Sequence, residues 1–253
     1  GEHVAWAESN AIVFANSVLG ARTHRWGDFI DLCCAITGRA PAAGLHLDAN
    51  RVATVVVRVG EVSDDLLDRD VLYPVLGGLL GPLVGKAVPV IVGLPSGVSE
   101  DRLKAVGAAA ASTGSVGLFH VVGSTPEAPT LEAALGGRPP VAEFQVGPAE
   151  LRVARDRLST TTDDHLRTVS LGTPHYSVGQ FGRLVEVLGD RRIHDGVAVY
   201  ASTGRDVLHE VELRGWADRL VRAGVQVVVD TCTYFTSIIE DTSGTSMTDS
   251  AKW

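Results

Sequence analysis

The sequence predicts an α/β protein of mostly parallel sheets flanked by helices, and three observations carry that expectation. Of its 253 residues, 45% are hydrophobic and 21% charged, the balance of a globular chain rather than a disordered, collagenous or coiled-coil one. Uninterrupted β-branched runs recur, as in strands buried on both faces. Between them lie segments whose apolar residues repeat every three or four positions.

Taken in order, the strand-like runs are Val52–Val59, Val88–Val92, Val116–Val122, Arg167–Leu171, Val197–Tyr200 and Val225–Val229. Helices are expected over Glu100–Ala111, Gly179–Leu188 and Val207–Ala223. The clearest unit is the last βαβ: a strand, Ser202 or Thr203 as N-cap, an amphipathic helix, Gly224 as its stop, and a second strand. The apolar stretch Val71–Pro95 is cut by Pro74, Pro82, Pro89, Lys86 and several glycines, and reads as buried loop and strand rather than a membrane span. Pro126, Pro129, Gly136, Gly137, Pro139 and Pro140 punctuate a linker over 124–142, dividing an α/β region 1–123 from a second, 143–253, or marking a turn within one continuous unit.

Twenty-two basic against 30 acidic residues leave a net charge of −8, which removes the electrostatic footprint of a nucleic-acid binder. Three cysteines, Cys33, Cys34 and Cys232, are too few for a disulfide framework, so a reducing cytoplasm is the expected compartment and no membrane partner is implied. No signal peptide is visible, and Gly1 with Met247 as the sole methionine reads as a processed chain or a fragment.

In open α/β sheets ligands gather beyond the carboxyl ends of strands. There the sequence places Asp230-Thr231-Cys232-Thr233, Gly172-Thr173-Pro174-His175 and Ser202-Thr203-Gly204, the last opening a helix whose amides favour an anion. Plain structure accounts for each alone: a packed thiol, a turn histidine, a helix cap. Their convergence favours a site. In the N-terminal segment Glu8, Ser9, Asn10, Asn16, Ser17, Arg22, Thr23 and Asp28 are interleaved with Trp6, Ile12, Val13, Phe14, Val18 and Leu19. Such interleaving predicts a lined polar cavity, since buried polar groups are costly unless paired; a capped, partly exposed helix fits the pattern equally. Adjacent Cys33 and Cys34 point in different directions on a helix, and their spacing to Cys232 matches no zinc-finger or ferredoxin pattern. The sequence has no GxSxG, Walker, HExxH or GxGxxG motif in the required context.

The runs Ala5-Trp6-Ala7-Glu8-Ser9-Asn10-Ala11, Ala15 to Thr23, Gly27 to Cys33, Thr37-Gly38-Arg39-Ala40-Pro41 and Gly44-Leu45-His46-Leu47 resemble aconitase X, the divergent branch of the aconitase superfamily. The resemblance continues through Ser170 to His175, Val229 to Thr233 and Thr245 to Lys252. It implies the large catalytic part of a hydro-lyase, working with a small swivelling domain, fused or separate, on a small hydroxy-acid substrate. It also implies an iron–sulfur cluster, expected as 2Fe-2S with 4Fe-4S the alternative, acting as Lewis acid on the departing hydroxyl. Cys33 and Cys232 match its thiolate positions, a third ligand is expected beyond Trp253 where relatives continue, and Cys34 is a packing residue. Bacterial members dehydrate cis-3-hydroxy-L-proline to Δ1-pyrroline-2-carboxylate and archaeal ones act on mevalonate 5-phosphate; the Ala/Gly/Val/Arg-rich composition favours the former.

On that resemblance Glu8, Ser9, Asn10, Asn16, Ser17, Arg22, Thr23 and Thr173 are the substrate-binding residues, and His175 and Asp230 are the catalytic positions near the cluster. The α-proton base, a serine, belongs to the small domain. All these residues are expected to line one cavity in which Cys33 and Cys232 converge. A cluster-free relative that binds a small anion, and a bare scaffold, are the competing classes.

Overall fold

The computed structural model describes residues 1–6, 8–27, 29–233 and 236–253, so Asp28 of the N-terminal polar segment lies outside the described residues. The chain divides into two compact units, Gly1–Leu158 and Ser159–Trp253. The expected linker therefore lies inside the first unit.

In the first unit, helices α1 (Ser9–Ser17) and α2 (Ile30–Thr37) precede β1 (Val55–Val59), α3 (Asp64–Leu67), α4 (Leu72–Val84), β2 (Pro89–Val92) and α5 (Glu100–Thr113). Then come β3 (His120–Val121), α6 (Leu131–Leu135), β4 (Ala142–Val146) and α7 (Pro148–Leu158). The strands form a parallel sheet in the order β3-β2-β1-β4. Strand alternation splits its apolar residues between two cores. Val55, Val57, Val59 and Ile91 face α1, α4, α5 and α7, while Val56, Val88 and Val90 face α6 and Leu45. Burial on both faces explains the unbroken valine runs.

Three expectations are corrected here. Val71–Pro95 holds a helix, α4, besides the strand β2. Pro74 falls in the first turn, where no intrahelical donor is needed, and only Pro82 stands inside the helix, close to its end. Segment 124–142 is no linker, because its prolines and glycines bracket α6 and it ends in β4, which pairs with β1. The run Val116–Val122 yields only a two-residue strand, its apolar side chains being buried in loop conformation around β3.

The glycines of α4 set its distance from α5. A Cβ on Gly77 would meet the Val106 carbonyl oxygen at 2.3 Å and the Ala109 Cβ at 2.7 Å, and one on Gly81 would meet the Thr113 Oγ1 at 2.2 Å. Glycine there costs helix propensity but permits backbone contact between the two helices.

A single buried guanidinium fastens the N-terminal segment. Arg51, 2% exposed, stands between a 3₁₀ turn (Asp48–Asn50) and β1. Its Nη1 donates to the Leu45 carbonyl at 2.9 Å and to Asn16 Oδ1 at 3.0 Å, its Nη2 donates to the Asn16 carbonyl at 3.0 Å, and its Nε donates to Glu127 at 2.9 Å. The Nη2 also pairs closely with the Glu127 carboxylate.

The second unit contains β5 (Leu166–Leu171), α8 (Val178–Leu188), β6 (Ala198–Thr203), α9 (Arg205–Leu213), α10 (Trp216–Ala223), β7 (Val225–Val229) and β8 (Thr245–Thr248). Its sheet is parallel in the order β7-β6-β5-β8. Val199, Ala201 and Val225 pack under Phe181, Val185, Val211 and Leu220 of the helices. The single helix expected over Val207–Ala223 is interrupted by Gly215 in the left-handed region (φ 68°). Ser202 and Thr203 are not helix caps: both are buried at the end of β6, and Gly204 precedes α9. Among the described residues no helix is long and apolar enough to cross a membrane.

Two outcomes follow. Gly77→Ala should destabilise the protein by about 1–3 kcal/mol, overcoming a propensity gain of about 1 kcal/mol, because the clash is with backbone. Arg51→Ala should cost at least about 3 kcal/mol by stranding Glu127 and two carbonyls. Denaturant midpoints with unchanged m-values check both, and a stabilised Gly77→Ala or an Arg51→Ala loss under about 1 kcal/mol would contradict this packing.

Candidate functional site

The expected site residues fall in both units, and each group is built locally. In the first, Glu8 is the N-cap of α1 and its carboxylate accepts from the Ala11 N–H at 2.9 Å. Ser9 and Asn10, in the first turn of α1, are half-buried. Asn16 and Ser17, each 1% exposed, engage the main chain of distant segments. The Asn16 amide donates to the Thr23 and Gly117 carbonyls at 3.1 and 2.9 Å and accepts from the Thr23 N–H at 3.0 Å. Ser17 Oγ accepts from the Phe119 N–H at 3.0 Å. These contacts bring Asn16, Thr23 and Arg51 together and give the interleaved polar residues a definite structural use.

Arg22 and Thr23 retain unused capacity. Arg22 Nη2 pairs with the exposed Asp48 carboxylate at 2.5 Å, while its buried Nη1 and the Thr23 Oγ1 have no hydrogen-bond partner. Buried donors without acceptors cost about 1–3 kcal/mol each, so a ligand acceptor or ordered water is the natural complement.

A ring cluster holds the loop that carries Arg22. The Trp26 indole N–H donates to His46 Nε2 at 3.1 Å, which places the His46 proton on Nδ1, and that atom meets His3 Nδ1 at 2.9 Å. His46 stacks between His3 and Trp26, and His24 meets Trp26 edge-on. The N-terminal segment also pairs with residues 20–24 through Val4 N–H to Arg22 carbonyl and Arg22 N–H to Glu2 carbonyl, at 3.0 and 2.8 Å. Burial pushes the His24, His46 and His120 pKa values down, and His3, His24 and Arg51 push His46 further the same way.

In the second unit the turn after β7 is pinned from several sides. Asp230 adopts a left-handed backbone (φ 58°), its N–H donates to the Thr203 carbonyl at 2.9 Å, and its carboxylate pairs with Arg205. His175 is exposed and donates from Nε2 to the Thr231 carbonyl at 3.0 Å. The Thr236 N–H donates to the Cys232 carbonyl at 3.1 Å. Thr233 Oγ1 accepts from the Trp253 indole at 3.2 Å and shares a hydrogen bond with the buried Ser170 hydroxyl. Thr173, 3% exposed, has an unpartnered Oγ1, as does Ser202 at 0%. The structure thus gathers Thr173, His175, Asp230 and Cys232 around the carboxyl ends of β5, β6 and β7.

All three cysteines are free thiols: Cys33 is exposed on α2, and Cys34 and Cys232 are half-buried. Thiols reachable from solvent are the donor type an iron–sulfur cluster takes, so these two loci fit such a group in kind. Among the described residues no three His, Cys, Asp or Glu side chains are grouped to hold a metal, so the fit is to part of a ligand set. The sequence reading did not single out Arg51, Trp26, His46 or Trp253. A basic residue abutting a buried valine run was the available signal for Arg51; nothing local marked the others.

Family models match the aconitase X first domain over residues 1–49, the second domain over 53–156 and the third domain over 166–253. The chain is 43% identical over 256 residues to a cis-3-hydroxy-L-proline dehydratase of Pseudomonas aeruginosa and 42% over 257 residues to one of Hypocrea jecorina, in both cases over its full length. It spans only 44% and 43% of those two proteins. It is 39% identical to the phosphomevalonate dehydratase large subunit of Methanothermobacter thermautotrophicus, over 92% of this chain and 55% of that one. The crystal structure of Thermococcus kodakaraensis aconitase X in its holo form superposes with a TM-score of 0.85 at 30% identity, covering this whole chain and 62% of that chain.

The histidines make a pH prediction. His24, His46 and His120 have native pKa values below the 6.5 of their unfolded form, so the unfolded state binds more protons in that window, and stability falls as pH drops below about 6.5. The carboxyls of Glu150 and Asp241, held low by hydrogen bonds, act only below about pH 4.5. Unfolding midpoints should therefore decline between pH 7.5 and 5.5, and His46→Gln with His120→Gln should flatten that decline. A midpoint constant or rising across this interval would refute the burial argument.

Proposed function

The chain belongs to the aconitase X family, and from that premise we propose that it forms the large part of an iron–sulfur-dependent hydro-lyase converting cis-3-hydroxy-L-proline to Δ1-pyrroline-2-carboxylate. The observation that carries this reading is the 43% identity, sustained over the full chain, to a dehydratase named for that substrate. The archaeal large subunits match less completely, at 92% of the chain for the example above, which makes mevalonate 5-phosphate the rival substrate.

The reaction removes the α-proton and the β-hydroxyl across one carbon–carbon bond, and the resulting enamine tautomerises to the cyclic imine. Arg22 is proposed to take the substrate carboxylate, using the guanidinium edge that now has one exposed partner and one unpaired N–H. Glu8, Ser9, Asn10, Asn16, Ser17 and Thr23 are proposed to shape the same site, Thr23 offering its unpaired hydroxyl and Asn16 holding the backbone that presents it. Cys33 and Cys232 are proposed as thiolate ligands of the cluster, of the 2Fe-2S type with 4Fe-4S as alternative, which when bound supplies a Lewis acid for the departing hydroxyl. Thr173 is proposed to contact substrate through its unpartnered hydroxyl. His175 and Asp230 are proposed as the catalytic positions beside Cys232. His175 steadies the Thr231 carbonyl, and Asp230 pairs with Arg205. The proton-abstracting base is proposed to come from a small swivelling domain, fused or separate, and the site of action to be the cytoplasm.

The test uses the intact enzyme, assayed for pyrroline-carboxylate formation beside mevalonate 5-phosphate. Turnover of the hydroxyproline is expected, and turnover of the rival alone overturns the substrate assignment. Cys232→Ser should abolish kcat while substrate binding persists, since a hydroxyl replaces a thiolate poorly toward iron. Arg22→Ala should raise KM by roughly 10- to 100-fold, the worth of a charged hydrogen bond made already in the ground state. Full activity in Cys232→Ser would defeat the mechanism.

A further inference from the structure

We infer that, on the dehydratase reading above, Ser202 is a further catalytic residue: together with Thr173, its hydroxyl donates a hydrogen bond to the departing hydroxyl oxygen of the substrate. Alternation along β6 sends Val199 and Ala201 under α8, α9 and α10, so Tyr200 and Ser202 point to the opposite face of the sheet. Ser170 pairs in register with Tyr200 and Thr168 with Ala198, which puts both on that face too. Thr168, Ser170 and Ser202 are 1%, 0% and 0% exposed. A parallel sheet is ordinarily apolar on both faces, and here one face is built of buried hydroxyls. Burying a hydroxyl is costly unless it is bonded. Ser170 Oγ shares a hydrogen bond with Thr233 Oγ1, and Thr203 Oγ1 donates to the Tyr176 carbonyl at 2.8 Å. Thr173 and Ser202 are the exceptions: among the described residues of the second unit, theirs are the buried side-chain oxygens with no partner.

The backbone brings these two hydroxyls to one strand end beside the turn that carries Cys232. Gly172 packs so closely on β6 that a Cβ there would meet the Ser202 carbonyl oxygen at 2.2 Å and its nitrogen at 2.8 Å, and its φ of 82° suits the turn into Thr173. The Tyr176 N–H closes that turn on the Ser202 carbonyl at 2.9 Å. On the other side β7 stays paired with β6 as far as Thr203 and Val229, and the Asp230 N–H then donates to the Thr203 carbonyl at 2.9 Å. The chemistry of the pair selects the atom it serves. Two neutral donors suit an oxygen that is neutral in the ground state and gains charge as its bond breaks, whereas a carboxylate calls for a cation, and Arg205, which follows this strand, is already paired with Asp230. Both candidate substrates, cis-3-hydroxy-L-proline and mevalonate 5-phosphate, carry such a hydroxyl β to a carboxylate. In the elimination the α-C–H electron pair becomes the double bond and its proton passes to the base. The C–O pair leaves with the oxygen as hydroxide, which takes up a solvent proton to become water. Ser202 keeps its own proton throughout, and its hydrogen bond strengthens as charge develops on the oxygen.

Ser202→Ala in the intact enzyme tests this, by kinetics on both candidate substrates and by thermal unfolding without substrate. Expected is a kcat lowered ~10- to 100-fold with KM changed less than about 3-fold, because the bond is worth most in the transition state. The unfolding midpoint should be unchanged or higher, since alanine removes a hydroxyl that has no partner in the free protein. Thr173→Val, which removes the second hydroxyl and keeps its shape, should show the same split. A kcat within about 2-fold of wild type, or a raised KM with kcat retained, overturns the assignment. A midpoint lowered by more than about 3 °C, or a variant that does not fold, would show that the hydroxyl is bonded inside the protein or to a structural water, and overturns it as well. If the wild-type enzyme turns over mevalonate 5-phosphate alone, the substrate assignment falls and Ser202 is judged by the same split on that compound. Turnover of neither substrate overturns both.

Discussion

The buried guanidinium of Arg51 is the contact on which the first unit's arrangement depends. It faces the α1 carboxyl end through Asn16, the turn after α2 through the Leu45 carbonyl, and the loop after β3 through Glu127. Its own carbonyl accepts from the ring N–H of His120 at 2.8 Å. An arginine is suited to this because its five donors leave in a rigid plane and its charge is retained when buried. Remove it and three segments, at Asn16, Leu45 and Glu127, lose their common partner. The N-terminal helix would keep its apolar packing but lose its register on the sheet.

Arg25 makes a second fastening of the same kind. Its Nη1 donates to the carbonyls of Ala111 and Gly114 at 3.1 and 3.2 Å, at the end of α5. Those carbonyls lack intrahelical donors, and a cation also suits the negative end of the helix dipole. The loop from Arg22 to Trp26 is therefore held by an ion pair, a helix terminus and a ring stack. Such a loop presents Arg22 and Thr23 from a fixed backbone, the condition a binding group needs if ordering is not to be deducted from affinity.

The second unit reaches a comparable result with neutral groups. Its sheet packs apolar residues under three helices, while hydroxyls of Ser170, Thr173 and Ser202 are buried near the strand ends. Backbone carbonyls of Thr231 and Cys232 each receive a proton donor, so the thiol of Cys232 projects from a turn with little freedom. Parallel strands make this possible by delivering the turns after β5, β6 and β7 to one edge of the sheet.

The sequence by itself determined the elements whose physics is local. β-branched runs located β1, β2, β5, β6 and β7, Val225–Val229 to the residue, because double-faced burial leaves an unbroken apolar signature, while β4 and β8 carried no such run. The periodicity of Glu100–Ala111 located α5, and the long ordered motifs located the family. Tertiary structure alone decided what depends on distant partners. Pro- and Gly-rich α4 is helical because α5 lies close enough to need its glycines. Segment 124–142 is not a linker because β1 has an edge for β4 to join. Asn16 and Ser17 look alike in sequence whether they line a cavity or anchor main chain. Only the positions of Gly117, Phe119 and Arg51, thirty to a hundred residues away, reveal that they hold the backbone in place. A hydrogen bond is specified by two groups in space, and a one-dimensional pattern records at most one of them.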